Sequence, residues 1–253
     1  MSSGFADSRW DFYSCEIDGM PHSTMVDLSV AEAAPIEGLT TFYCVAFKLQ
    51  NPHPEHRMST NAEFQTLCDI EDLIEQQQTK QLKYIARQTG NSQRKFYFYG
   101  AFDFDFKKLV DLIGQTFPDY ETSIFSFEDT SWNTYFDDLF PNAIAINEIS
   151  NRAVFDQLLE GGDDLSIPRT IDHNVIFRDR KKAAEYARIV SEMGFAVQVN
   201  KSGLIRKTFN LLIQRADPPS GLDPITFELA QLAEGLDGTY DGWGCYQAKY
   251  NPS

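Results

Sequence analysis

No apolar run in the sequence approaches the ~18 residues that a membrane-crossing helix needs, so no membrane role is expected. The opening MSSGFADSRW has neither a basic segment nor an apolar stretch, and no secretory signal is expected there. Cysteine is scarce. Cys15, Cys44, Cys68 and Cys245 stand far apart, and no C-x-x-C pair occurs. That pattern excludes a dithiol redox motif, gives no sign of a disulfide framework, and favours reduced thiols in a cytoplasmic protein. A nucleophile elbow, a phosphate-cradling glycine loop and a dinucleotide fingerprint are also missing. No cofactor is expected.

What is present is material for folded cores. Of the 253 residues 42% are apolar, with 20 Phe and 11 Tyr, a content that a disordered chain lacks. The length suits two domains of ordinary size. The net charge of −15 is unevenly spread. Residues 1–150 hold 10 Lys and Arg against 23 Asp and Glu, a net −13; residues 151–253 hold 12 against 14, a net −2. Phosphate neutralisation supplies most of the affinity of nucleic-acid binders, so the first half should repel nucleic acid. An acidic surface of this kind serves solubility, and it can also attract a basic protein.

The pattern along the chain predicts α+β organisation twice over. In the first half, extended runs at 10–17 and 22–30 flank an Asp18-Gly19 turn, and an aromatic, β-branched strand covers 41–49. Asn51-Pro52-His53-Pro54 breaks the chain. A helix from Ser59 or Thr60 follows, with Thr60 and Glu63 spaced as a capping box, an apolar stripe of Phe64, Leu67, Ile70 and Ile74, and Glu71 facing water. Strands at 81–88 and 95–101 are separated by Thr89-Gly90-Asn91-Ser92. A helix over 107–117 (Leu109, Leu112, Ile113) and a strand over 121–127 complete β-α-β-β-α-β, the ferredoxin-like order. Short and long helices are expected at 131–139 and 143–159, the latter stopped by Gly161-Gly162.

The second half reads as a strand at 170–177, a helix at 179–193 with Gly194 as its stop, and a hairpin of 195–199 and 207–214 around Lys201-Ser202-Gly203. A helix at 224–236 and a closing strand near 243–246 follow. Two ferredoxin-like α+β domains are therefore expected, 1–141 and 142–253, parted near Pro141.

One stretch, Leu158-Leu159-Glu160-Gly161-Gly162-Asp163-Asp164-Leu165 with Pro168-Arg169 and Ile171-Asp172-His173, resembles the bacterial regulator of ribonuclease activity B family. Leu232-Ala233-Glu234 leading to Tyr240-Asp241-Gly242-Trp243-Gly244 resembles it as well, so the resemblance covers about residues 150–250. The first half resembles a bacterial domain of unknown function that is often fused to this regulator, and that resemblance implies no activity. The family resemblance implies a non-enzymatic regulator that inhibits RNA turnover by binding the scaffold region of ribonuclease E. The best-known members are strongly acidic and end in an acidic tail, whereas this second half is nearly neutral. Any acidic contact surface is thus expected from the first half.

Three constellations carry candidate chemistry. Asp163, Asp164, Arg169, Asp172, His173, Asp241 and Trp243 would meet if the last strand returns beside residues 170–177. A histidine between carboxylates suits general-base chemistry and an arginine suits an anion. The same residues equally suit structural locking, with Arg169 paired to Asp241, or a binding surface for a protein partner. The alternative to a regulator is a small hydrolase or ligand-binding protein that uses the 163–173 segment with Asp241 and Trp243. His53-Pro54-Glu55-His56 brings two imidazoles together, but it lacks helical H-E-x-x-H spacing and a cysteine, so no metal site is expected. Arg94-Lys95-Phe96-Tyr97-Phe98-Tyr99 resembles a base-stacking strand, yet alternating aromatics more commonly pack a core.

Overall fold

The protein, described by a computed structural model over residues 8–202 and 208–248, divides into two compact units, Met1–Asn142 and Ala143–Ser253. In the first unit, β1 (Trp10–Ile17) and β2 (Met20–Asp27) form a hairpin. Asp18 and Gly19 take positive φ values of 52° and 75°, the backbone that a two-residue Asp-Gly turn demands. The run predicted to continue to Val30 ends at Asp27, whose carboxylate accepts from Ser29 N and Oγ and starts a 3-10 turn. Its other oxygen meets the Lys83 ammonium at 2.8 Å, with both side chains almost wholly buried. Burial pushes the Asp27 carboxyl up, but hydrogen bonds from Lys83 and Ser29 and the Lys83 charge outweigh it and hold it low.

Next come β3 (Thr41–Lys48), α1 (Phe64–Gln76), β4 (Leu82–Gly90), β5 (Gln93–Gly100), α2 (Phe106–Thr116) and β6 (Thr122–Glu128). The sheet order is β1-β2-β4-β5-β3-β6, antiparallel throughout. Its last four strands have the ferredoxin-like order, and the β1–β2 hairpin extends the β4 edge. Tyr43, Val45, Phe47, Phe96 and Phe98 point to one face and pack against Leu67, Ile70 and Ile74 of α1 and Leu109 and Ile113 of α2.

Three expectations fail here for identifiable reasons. The capping box does not form, because Thr60 Oγ1 donates to the Asn51 carbonyl at 2.7 Å and Glu63 turns inward. The buried Glu63 carboxylate accepts from Gln50 N, Asn51 N and the Tyr120 hydroxyl, and α-helix begins only at Phe64, which is exposed. Glu71 does not face water: it accepts from Tyr84 OH at 2.9 Å and pairs with Arg87. Leu112 falls off the buried stripe.

The second face of this sheet is covered as well over β3 and β5, though not over β6, where Phe125 and Phe127 stay exposed. Trp132 is wholly buried, lies flat on Tyr99 with ring centroids 3.7 Å apart, and donates from Nε1 to the Leu39 carbonyl at 2.9 Å. Its φ of 60° prevents the helix predicted from Ser131, and one π-helical turn, Thr134–Leu139, forms instead. Asp129 anchors that turn, accepting from Tyr99 OH, Asn133 N and Thr134 N. Tyr97 and Tyr99 are therefore enclosed, as are Phe96 and Phe98 on the helix side, so the aromatic strand presents no stack for bases.

In the second unit, α3 (Ala143–Glu160) leads into β7 (Arg169–Phe177), α4 (Arg180–Glu192), β8 (Ala196–Ser202), β9 (Thr208–Asp217), α5 (Leu222–Gly235) and β10 (Thr239–Gly244). The sheet order β10-β7-β9-β8 is again ferredoxin-like and antiparallel. The predicted turn residue Gly203 and the predicted strand start Lys207 lie outside the described residues. Asp179 caps α4 by accepting from Lys181 N and Lys182 N. Ala183, Tyr186 and Val190 of α4 and Leu229 and Ala233 of α5 meet Val175, Phe177, Leu211 and Ile213 of the sheet. The opposite face, with Asp172, Asn174 and Gln214, is not buried. Among the described residues no helix is long and apolar enough to cross a membrane.

Candidate functional site around the last strand

The last strand returns beside β7, with Trp243 opposite His173 and Gly244 opposite Asp172. Between Tyr240, opposite Val175, and Gly242, opposite Asn174, the register shifts. Asp241 is the extra residue of this bulge and faces solvent, while Gly242 takes the φ of 100° that the bend requires. Cross-strand partners share a face, so Tyr240 and Trp243 both turn to the helix side, three residues apart.

The predicted constellation splits into three parts. The first is a clamp. Arg169 Nη2 donates to Asp163 Oδ1 at 2.6 Å, Nη1 donates to the Asp164 and Ile167 carbonyls, and Nε donates to Cys245 Sγ at 3.3 Å. Asp163 Oδ2 accepts from Ala248 N at 2.8 Å, and Asp164 N donates to Ala248 O at 2.9 Å. Asp164 Oδ1 accepts from Ser166 N and Oγ. Burial opposes the Arg169 charge, but Cys245 and Asp163 outweigh it and raise its pKa. The expected Arg169–Asp241 pair is therefore corrected to Arg169–Asp163. The turn after Gly162 aims Asp163 inward, whereas the bulge aims Asp241 outward.

The second part is His173, wholly buried, whose Nδ1 lies 2.7 Å from Tyr240 OH and whose ring meets Phe195 edge-on. Among the described residues Nε2 has no hydrogen-bond partner. Burial lowers its pKa to about 4; Asp217 and Asp172 oppose that shift and Arg215 adds to it. Asp172 lies on the open face instead, accepting from Gln214 Nε2 at 2.7 Å, so it does not orient His173. The imidazole therefore bonds a tyrosine hydroxyl and not a carboxylate of the expected constellation.

The third part is a groove. Trp243 is half-buried, and its Nε1 donates to Asn151 Oδ1 at 2.8 Å. Asn151 Nδ2 donates in turn to Asp223 Oδ1 and Thr226 Oγ1, and Asn147 Nδ2 donates to the Asp223 carbonyl, so one amide ties α3, α5 and β10 together. Beside this knot lies an open cavity of about 530 Å³, with Ile146, Val154, Phe227 and Ala230 on its walls and Trp243, Glu234 and Asp241 exposed to it. Asn151, Thr226 and Tyr240 escaped sequence reasoning. An asparagine inside a long helix carries no motif, although its recurrence four residues after Asn147 marks one helix face.

The charge of this domain is polarised, not absent. α3, α5 and β10 hold one arginine against seven carboxylates, while α4 holds Arg180, Lys181, Lys182 and Arg188 against two glutamates. The expectation that an acidic surface must come from the first half is thereby corrected.

Elsewhere, the His53 and His56 rings stack at 3.6 Å, and each Nδ1 accepts a backbone N–H. Among the described residues no cluster of three His, Cys, Asp or Glu stands ready for a metal.

Fold and site together define a two-domain α+β protein whose second domain carries a groove beside its last strand. The chain belongs to the family of unknown function DUF695, which matches residues 8–140, and residues 148–245 match the family Regulator of ribonuclease activity B. The second domain is thus similar to a family of regulators. No curated protein matches the chain. A crystal structure assigned as a glycine cleavage system transcriptional repressor aligns at 11% identity, covering 83% of this chain and 98% of that one, with a TM-score of 0.24. An unknown protein from Galdieria sulphuraria aligns at 8% identity, covering 80% and 96%, also at 0.24.

Proposed function

We propose that this chain is a non-enzymatic cytoplasmic regulator that binds a protein partner, ribonuclease E or a similar RNA-processing enzyme, and restrains RNA turnover. The match of residues 148–245 to the regulator family carries this reading. The local chemistry agrees with it. Asp163 and Arg169 are spent on each other, Asp172 on Gln214, and His173 is enclosed and bonded to Tyr240, so the histidine of the hydrolase alternative has no carboxylate of the 163–173 segment bonded to it. Direct RNA binding is opposed by the net charge of −15. The test titrates the purified chain into a ribonuclease E-type enzyme cleaving a labelled RNA, with binding followed separately by calorimetry. Cleavage should slow in step with formation of a protein–protein complex. Undiminished cleavage and no heat of binding would remove the proposal, as would binding to the RNA alone.

A further inference from the structure

The groove between α3, α5 and β10 combines three properties. Its walls are apolar, through Ile146, Val154, Phe227 and Ala230. Its rim is acidic, with Glu234 and Asp241 among the lining residues and no Lys or Arg among them. Its base is fixed, because Asn151 holds Trp243, Asp223 and Thr226 at once. A cavity of about 530 Å³ falls in the range of sites that enclose a ligand or anchor side chains.

We infer that this groove seats a segment of the partner protein in which Lys or Arg flanks apolar side chains. The inference rests on the protein-binding reading above and names the chemistry of the partner. Apolar anchors dehydrate Trp243 and Phe227, and cations at their sides meet Glu234 and Asp241. Charges of one sign around an apolar centre raise the encounter rate and reject acidic partners. A groove already held in shape loses little conformational entropy on binding. The same logic argues against two copies paired groove to groove, which would bring like carboxylates together.

The probe is a fluorescent synthetic peptide with leucine and lysine at helical spacing, and its counterpart has glutamate for lysine. Titrated with the full chain at low salt, the lysine peptide should bind and the glutamate peptide should not. The double variant Glu234→Lys/Asp241→Lys should weaken binding by about tenfold or more, and Val154→Asp should do likewise, with thermal midpoints unchanged. An equal charge reversal in the first domain, Asp69→Lys/Asp72→Lys, should leave affinity within about twofold. Equal binding of both peptides overturns the inference. So does equal loss in the first-domain variant, or a doubled molecular mass in light scattering that the Val154→Asp change abolishes. The ribonuclease titration separates the two readings. A Glu234→Lys/Asp241→Lys chain that still restrains the enzyme would sink the groove and leave the regulator standing. A chain that binds the peptide through the groove but never engages the enzyme would do the reverse.

Discussion

The two domains share one strand order and differ in what is added to it. The first adds a hairpin at one edge and a folded segment, 129–140, over the second face, so that β3 is buried along all but its last residue. The second adds one helix, α3, which reaches its sheet through Trp243 and leaves the other face open. Additions that seal a sheet make a core, and an addition that touches it along one line makes a groove. The same core fold thus gives central strands covered on both faces in one case and a candidate contact surface beside the last strand in the other. Two tryptophans mark the contrast, Trp132 wholly enclosed and Trp243 half-buried at a groove.

The bluntest way to break this comparison is to cut the chain. Residues 143–253 expressed alone should unfold in one cooperative transition, because their core clusters without help from outside. A soluble fragment that melts without a transition would deny them domain status. Next in size, Trp132→Ala should cost about 3–5 kcal/mol in urea titration, since it empties the second face and orphans the Leu39 carbonyl. A loss under ~1 kcal/mol would mean that this face is not a core.

Arg169→Met should cost about 3 kcal/mol, because Asp163, with no exposed side-chain surface, would lose its partner. Stability unchanged within ~0.5 kcal/mol would show that the clamp is ornamental.

Acid should act on His173. Folded, its pKa is about 4, against 6.5 unfolded, so below about pH 6.5 the unfolded state takes up a proton that the native core refuses. Stability from this group is full above pH 6.5 and falls as pH drops towards 4, by up to about 3 kcal/mol. His173→Leu should flatten that slope in urea titrations at stepped pH, and an unaltered slope would contradict the assignment. Smallest of all, Trp243→Phe should cost about 1 kcal/mol, the value of its bond to Asn151. A cost matching that of Trp132→Ala would erase the contrast between the two tryptophans.

Much of the architecture was legible because each buried face repeats. The alternation Ile171, His173, Val175, Phe177 and the stripe Ala183, Tyr186, Val190 state their periods plainly. Where residues escaped, a polar group had found a partner far away in sequence. Glu63 left its helix cap for Gln50 and Tyr120, Arg169 chose Asp163 over Asp241, and Asn151 carried the knot with no motif to announce it. Periodicity speaks of faces, whereas such bonds depend on which loops meet.

The bulge at Asp241 has a further consequence, which concerns counting. A strand sorts its side chains by odd and even position, and β10 changes that parity once, between Tyr240 and Gly242. Substituting Asp241 alters a rim charge, whereas deleting it removes the extra residue and leaves a regular strand in which Tyr240, Gly242 and Trp243 keep Val175, Asn174 and His173 opposite them. Inserting a residue after Gly242, by contrast, would turn Trp243 to the open face and part Asn151 from its indole partner. The strand can absorb the loss of its bulge, but the alternation after the bulge decides where the tryptophan lands.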